Sequence, residues 1–157
     1  APPILQETMQ IAQIGPWEFE MPDGWAHTAN ESSPSYFEKP DGTKGLYVKA
    51  IELSQPEVTP QQAAEYVQRV HVQGFTEATS CAWEVVNNRF SQEPGFARSA
   101  LDLYDAKANY RVLSLVVCNC QSALQVTVHD YSCKHYSDSQ DDFVQLESSI
   151  TWSPDAA

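Results

Sequence analysis

Positively charged residues are scarce in this chain of 157 residues. It has nine Lys and Arg against 21 Asp and Glu, which gives a net charge of −12 and a pI near 4.5. An acidic surface repels phosphate backbones and anionic lipids, so binding to nucleic acid or to a lipid surface is disfavoured. The same charge attracts a basic protein partner over a long distance, or it serves only to keep the protein soluble.

The chain lacks an apolar run of about 18 residues, so the sequence predicts no transmembrane helix. It also lacks the basic segment followed by an apolar one that a signal peptide requires. Its opening residues, Ala1-Pro2-Pro3, fit a mature end left after signal removal. Together with the four cysteines described below, this leads us to expect a periplasmic or secreted protein.

Sequence motifs of catalysis are absent as well. The chain has no Gly-x-Ser-x-Gly, no His-Glu-x-x-His, no phosphate-binding loop and no dinucleotide fingerprint. We therefore predict no catalytic residues, no cofactor and a protein that is not an enzyme, although a missing motif does not by itself exclude an activity.

Cysteine occurs four times, as Cys81, Cys118, Cys120 and Cys133. An even number is compatible with two disulfides in any of three pairings, and disulfides are typical of oxidising compartments. Four reduced, partly buried thiols in a cytosolic protein are the alternative interpretation.

Apolar strands separated by short polar turns fill much of the second half of the chain. The pattern predicts four successive strands that fold back on one another as a meander, at 83–90, 97–104, 110–117 and 124–131. In the third of these strands, Val112 and Val116 point to one side, while Leu113, Leu115 and Val117 point to the other. A strand that is apolar on both faces is covered on both faces.

Earlier in the chain, the sequence predicts strands at 17–21, 35–38 and 45–53 and a loop at 25–34. Two helices are also predicted. The first begins at Pro60, behind a capping box formed by Thr59 and Gln62, and Gly74 is expected to end it. Its apolar stripe consists of Ala63, Val67 and Val70, broadened by Ala64 and His71.

The second predicted helix begins at Ser139, with Asp142 as its capping partner and Phe143, Leu146 and Ile150 as its buried stripe. Together the elements predict a single α+β domain at 14–152, between an N-terminal extension at 1–13 and a C-terminal tail at 153–157. Its sheet is mostly antiparallel, has about six or seven strands and is flanked by the two helices.

The order of these elements resembles the PsbP/DcrB-like superfamily. The resemblance rests on a strand that ends in Pro22-Asp23-Gly24-Trp25, a hairpin through Pro40-Asp41-Gly42, one helix, a four-stranded meander and a closing helix, and it covers Ile14 to Trp152. It implies an α/β/α sandwich. Members include photosystem extrinsic subunits, a nuclear-transport Ran-binding factor, bacterial envelope lipoproteins and immunity proteins against secreted toxins. The superfamily shares no catalytic residues, and the four cysteines depart from most of its members.

A disulfide pairing can be sought by counting register along the meander. Turns near 93, 107 and 120 place Cys81 and Cys133 towards one end of the sheet and Cys118 and Cys120 about 25 Å away, at about 3.3 Å per residue. Bonded cysteines have Cα atoms within about 7 Å, which favours Cys81–Cys133 and Cys118–Cys120. The rival pairings, which join Cys81 to one of the close pair and Cys133 to the other, require a bulge or a different strand order.

Metal binding is not predicted. Cys133, His129 and His135, with Cys118 and Cys120, lack the ligand spacing of a structural zinc site. The acids Asp138, Asp141 and Asp142 lack the alternating pattern of a calcium loop, and acids are favoured in the first turn of a helix.

Aromatic and acidic residues on loops are the candidates for partner binding. Trp25, His27, Glu31 and Tyr36 lie in or beside the longest irregular segment, and Phe90, Glu93 and Phe96 flank a predicted hairpin tip. Such side chains on the loops of a rigid sheet commonly build a binding surface. In the alternative interpretation, Trp25 and Phe96 fill the core and do not contact a partner.

These observations predict a non-enzymatic, exported protein that binds a basic protein partner, as an inhibitor or immunity-type protein for a secreted hydrolase or toxin. One alternative is an accessory structural subunit of an envelope or photosynthetic complex. Another is a redox or small-molecule-binding domain. The identity of the partner and the oligomeric state stay open.

Overall fold

The computed structural model describes residues 9–22, 25–28, 35–53, 58–78 and 80–152. In chain order its elements are β1 (Met9–Ile14), β2 (Trp17–Pro22), β3 (Ala26–Thr28), β4 (Ser35–Glu38), β5 (Lys44–Glu52), α1 (Pro60–Ala78), β6 (Glu84–Glu93), β7 (Phe96–Asp105), β8 (Tyr110–Cys118), β9 (Ser122–Asp130), a 3₁₀ helix (Tyr136–Ser139), α2 (Gln140–Ser149) and β10 (Thr151–Trp152). None of the described helices combines the length and the hydrophobicity needed to cross a bilayer.

Seven antiparallel strands form the main sheet, in the order β3-β4-β5-β9-β8-β7-β6, and the smaller sheet has the order β1-β2-β10. Helix α1 packs on one face of the main sheet, against β7 and β8. Helix α2 and the small sheet cover the other face, where the largest core cluster lies between them and the strands. The predicted α+β class, the antiparallel meander and the two flanking helices are confirmed.

Strand β8 has the two apolar faces that its sequence predicts. Val116 packs against Ala63 and Ala64 of α1. Leu113, Leu115 and Val117 belong to the core cluster on the opposite face. Because helix α1 covers one side and α2 with the small sheet the other, both sets of side chains are removed from water.

Helix α1 begins as predicted, because Gln62 N–H donates to the Thr59 hydroxyl at 3.2 Å and Thr59 N–H donates to the Gln62 amide oxygen at 3.1 Å. Its predicted end at Gly74 is wrong, since the helix continues to Ala78. The next residue, Phe75, packs against the cluster of Leu101, Leu103 and Val112. This tertiary contact outweighs the low helix propensity of glycine. Val70, predicted to be apolar core, is exposed.

Helix α2 begins one residue later than predicted, after the 3₁₀ helix, and its predicted capping box is not formed. The Ser139 hydroxyl donates to the buried Asp130 carboxylate instead of capping the helix. Asp142 accepts from Lys44 of β5 at 2.5 Å. Partners that are distant in sequence have replaced the local ones.

Four of the nine cations, from four different strands, hold α2 and the 3₁₀ helix onto the sheet. Lys44 pairs with Asp142, Arg89 pairs with Glu147 at 2.8 Å, Arg98 donates to the carbonyls of Glu147 and Ile150, and Arg111 donates to the Tyr136 carbonyl and to Gln140. Lys44, Arg89 and Arg111 pair with acids, whereas Arg98 donates only to backbone carbonyls.

Two predicted boundaries change. The segment predicted as a loop at 25–34 contains β3, which pairs with β4, because its backbone groups find partners at the sheet edge. Strand β1 begins at Met9, inside the segment predicted as an N-terminal extension, and pairs with β2 through a turn in which Gly15 has φ of 58°.

All four cysteines are unpaired in the structure, so neither predicted disulfide is formed. Cys81 and Cys133 do lie at the same end of the sheet, as the register count requires, near the β7–β8 turn. Their sulfurs have other partners, since Cys81 is hydrogen-bonded to Asp105 and Cys133 donates to the His135 carbonyl at 3.0 Å.

The predicted Cys118–Cys120 bond is absent because the two side chains lie in different environments. Cys118 is buried beneath α1, whereas Cys120 is exposed in the following turn. Burial raises the pKa of Cys118 to about 12 and also raises that of Cys133. A redox thiol needs the opposite shift, towards the thiolate.

Candidate functional site

The residues predicted to bind a partner lie at opposite edges of the main sheet. Tyr36 is on β4, while Phe90 and Glu93 are on β6, five strand positions away. At about 4.8 Å per strand this is roughly 24 Å, so they form two separate surfaces. The side chain of His27, on β3, and the whole of Glu31 lie outside what the structure describes.

Trp25 and Phe96 are half-buried and pack against the main core cluster. Phe96 meets the buried ring of Trp17 edge-on, with centroids 6.4 Å apart. Tyr36 is also half-buried, and its ring lies directly over Gly45 of the adjacent strand. A Cβ atom at Gly45 would lie 2.5 Å from the Tyr36 hydroxyl. Packing engages much of the surface of these three rings.

Strand β6 is the most accessible of the predicted sites. It ends the main sheet, and all ten of its residues are exposed. Three of them are apolar: Val85 is 57% exposed, Val86 is 44% and Phe90 is 43%. The outer side of an edge strand presents unpaired backbone N–H and C=O groups, which can pair with another extended chain. The register with β7 shifts between Val85 and Asn87, so the regular edge is Asn87–Glu93.

A groove of about 490 Å³ runs beside this edge, between α1 and β6. Arg69 and Val72 of α1 line one wall, Asn88 and Phe90 of β6 line the other, and Leu101 lies on its floor. We call this the α1–β6 groove. Phe90 therefore belongs both to the exposed edge strand and to the lining of the groove.

Acidic side chains flank this edge, and the α1 wall of the groove carries one acid, Glu65, and one cation, Arg69. Glu84 and Glu93 lie exposed at the two ends of β6. The one cation of the strand, Arg89, points to the opposite face, where it pairs with Glu147 and lies 4.0 Å from Asp102. Hydrogen bonding to Glu147 raises the pKa of Arg89. The pairing keeps this cation away from the groove.

A second concave site lies on the other side of α1. Because α1 covers β7 and β8, it leaves a cavity of about 370 Å³ over β5 and β9. We call it the α1–β5 cavity; its lining residues are Tyr47, Lys49, His71, Phe75, Gln125, Thr127 and His129. From the sequence, His129 is expected to be a surface residue rather than a zinc ligand. The surface position is wrong, because His129 is buried. No three metal-ligating side chains converge within the described ranges.

Both histidines of this cavity are held neutral. Burial lowers the pKa of His129 to about 4, and nearby His71 contributes to that shift. Burial also lowers the pKa of His71. Tyr110, whose hydroxyl is 2.6 Å from Nδ1 of His129, has a pKa raised by burial.

Comparisons with known proteins concern the fold of this chain. Neither a family model nor a curated protein matches this sequence. Among solved structures, the chain is similar to the solution structure of cyanobacterial PsbP (CyanoP) from Synechocystis sp. PCC 6803, with a TM-score of 0.69 over 97% of this chain and 96% of that one. The fold is PsbP-like. At 15% identity this similarity concerns the fold alone.

The PsbP-like fold confirms the resemblance suggested by the order of elements. A crystal structure of a Bacteroides thetaiotaomicron VPI-5482 protein matches 98% of this chain at a TM-score of 0.52 and 11% identity, and this chain spans 51% of that protein.

Proposed function

We propose that this protein is a non-enzymatic binding protein that engages a basic partner protein through the β6 edge and the α1–β6 groove. The observation that carries the proposal is the solvent-accessible edge strand, with Phe90 in the groove and Glu84 and Glu93 at its ends. An extended segment of the partner would add to the sheet beside Asn87–Glu93 and place an apolar side chain against Phe90.

Charge supports a basic partner. The net charge of −12 draws a cationic protein towards this surface, and the internal pairing of Arg89 removes the nearest repulsive group on β6. Exposed apolar side chains beside charged ones match the general anatomy of an interface, with an apolar centre and a polar rim.

Substitutions on β6 test this proposal. The partner is purified from the native host on immobilised protein, and its affinity for variants is then measured. Phe90→Asp should weaken binding by about tenfold or more, as expected for an aromatic side chain that becomes buried in the complex. Glu93→Gln should chiefly slow association, and the difference from the unsubstituted protein should shrink as salt rises.

Two matched substitutions serve as controls. Ile11→Asp places the same charge on an exposed apolar position of β1, and Glu20→Gln removes an exposed acid from β2. Both should leave affinity and association rate unchanged. If Phe90→Asp binds the partner as tightly as Ile11→Asp does, the β6 edge is not the binding site.

Two roles are candidates for this binding protein, and they differ in the effect on the partner. We propose an inhibitor or immunity-type role towards a basic secreted hydrolase or toxin, in which an equimolar amount of this protein reduces the partner's activity. The PsbP-like fold supports a second candidate, an accessory subunit, for which a larger assembly of fixed composition and unchanged hydrolase activity are expected. An exported location, periplasmic or secreted, belongs to both candidates.

A further inference from the structure

The α1–β5 cavity has the size and lining of a small-molecule site and takes no part in the partner binding proposed above. Its volume of about 370 Å³ lies within the range of about 300–1,000 Å³ that is usual for ligand pockets. It opens on the side of α1 away from β6, since β5 and β6 lie on opposite sides of the strands that α1 covers.

One wall of the cavity is rigid. The His71 ring is hydrogen-bonded through Nδ1 to the Gln125 amide and through Nε2 to the Thr127 hydroxyl, the latter at 2.8 Å. Both ring nitrogens are therefore engaged, and the ring has no freedom to rotate without losing a bond. Gln125 and Thr127 come from β9 and tie this side of α1 to the sheet.

Nε2 of His129 is a polar atom of the cavity with no hydrogen-bond partner among the described residues. It is 6% exposed and is surrounded by rings: Tyr131 stacks on it at 5.5 Å, and Tyr47 meets it edge-on at 5.4 Å. Its Nδ1 is bonded to Tyr110, whereas its Nε2 has no hydrogen bond to any described residue. Every fully buried side-chain nitrogen or oxygen in the described part of the chain has a partner. Nε2 must therefore reach solvent, and it does so in the cavity that His129 lines.

The Tyr110 hydroxyl and Nδ1 of His129 share one hydrogen bond, in which either group can be the donor. In the tautomer in which Tyr110 donates, Nδ1 accepts and the neutral imidazole carries its hydrogen on Nε2. This tautomer presents a buried N–H donor to the cavity, and a ligand acceptor selects it.

Lys49 supplies a positive charge at the same site. It lies two residues beyond Tyr47 on the same face of β5, is exposed, and belongs to none of the ion pairs among the described residues. The cavity thus combines an unpaired cation and a buried N–H donor with the aromatic surfaces of Tyr47 and Phe75.

We propose that the α1–β5 cavity binds a small planar aromatic carboxylate. The ring packs against Tyr47 and Phe75, and the carboxylate accepts hydrogen bonds from the Lys49 ammonium and from Nε2–H of His129. An aromatic ring uses the π surfaces of the cavity, and a carboxylate provides the acceptors that both donors lack.

Titration of the full chain with 2-naphthoate tests this, with the isosteric but uncharged 2-naphthamide as the matched ligand. NMR chemical shifts of the Gln125 side-chain amide and the Thr127 methyl group report on the cavity. We expect saturable binding of 2-naphthoate in the millimolar range or tighter, which is usual for a ligand of this size. The amide should bind at least fivefold more weakly.

Two lysine variants test whether Lys49 is the cation that binds the carboxylate. Lys49→Gln should bring 2-naphthoate down to the affinity of 2-naphthamide, while Lys107→Gln, which removes an exposed lysine from the β7–β8 turn, should preserve the difference. Equal binding of the two ligands to the unsubstituted protein would overturn the proposal. So would shift changes that avoid Gln125 and Thr127, or the absence of saturation by about 10 mM.

Discussion

Replacing Arg111 with methionine should lower the free energy of unfolding by about 3–5 kcal/mol, the usual loss when one partner of a buried ion pair is removed. Arg111 and Asp102 are both almost fully buried, and a guanidinium nitrogen donates to the carboxylate at 2.9 Å. The same guanidinium donates to the Tyr136 carbonyl at 2.8 Å and lies 3.9 Å from the Tyr136 ring centroid. Urea unfolding of the two proteins measures the loss.

A double variant separates the charge effect from lost packing. Asp102→Leu combined with Arg111→Met removes both charges, so it should be more stable than Arg111→Met alone, in which Asp102 stays buried without its main partner. Arg69→Met, at an exposed arginine of α1, is the matched control and should change stability by less than about 0.5 kcal/mol. A loss below about 1 kcal/mol for Arg111→Met would mean that the buried Arg111 contributes little to stability.

Acidification from pH 6.5 to pH 4 should destabilise the protein by about 3 kcal/mol through His129 alone. Its pKa is about 4 in the folded protein, well below its ordinary value of 6.5, because the ring is buried. In this interval the unfolded chain binds a proton that the folded protein does not, so stability is complete above pH 6.5 and falls as the pH decreases. The lowered pKa of His71 adds to the loss.

Urea unfolding of the protein and its variants across this pH range tests whether His129 causes the loss of stability. His129→Phe should reduce the loss of stability between pH 6.5 and pH 4 to the part that His71 contributes, whatever its own cost at neutral pH. Tyr131→Phe keeps the ring stacked on His129 and should retain the slope. The carboxylates of Asp41 and Asp105 have lowered pKa values, so their contributions are lost below this window. A flat profile between pH 4 and pH 6.5 would contradict the neutral buried histidine.

Features set by local chemistry could be predicted from the sequence. The Thr59–Gln62 capping box needs only residues three positions apart, and the two apolar faces of β8 follow from strand alternation. The α+β class and the meander follow from the same patterns, with turn residues between them.

Features that depend on partners distant in sequence could not be predicted from the sequence. Ser139 has the local sequence of a helix cap, but the buried carboxylate of Asp130 takes its hydroxyl instead. Arg111 lies in a run of apolar residues, and nothing local indicates that Asp102 of the neighbouring strand is buried beside it. The α1–β5 cavity arises from where α1 lies across the sheet, which periodicity does not determine.

Amide hydrogen exchange of the protein, free and bound to its purified partner, tests the central claim most directly. The proposal predicts slower exchange in the complex for outward-facing amides of Asn87–Glu93, because an added strand gives them acceptors. Exchange in β4, near the opposite edge of the sheet, should be unchanged. Protection confined to β4, or none along β6, would contradict binding through the β6 edge.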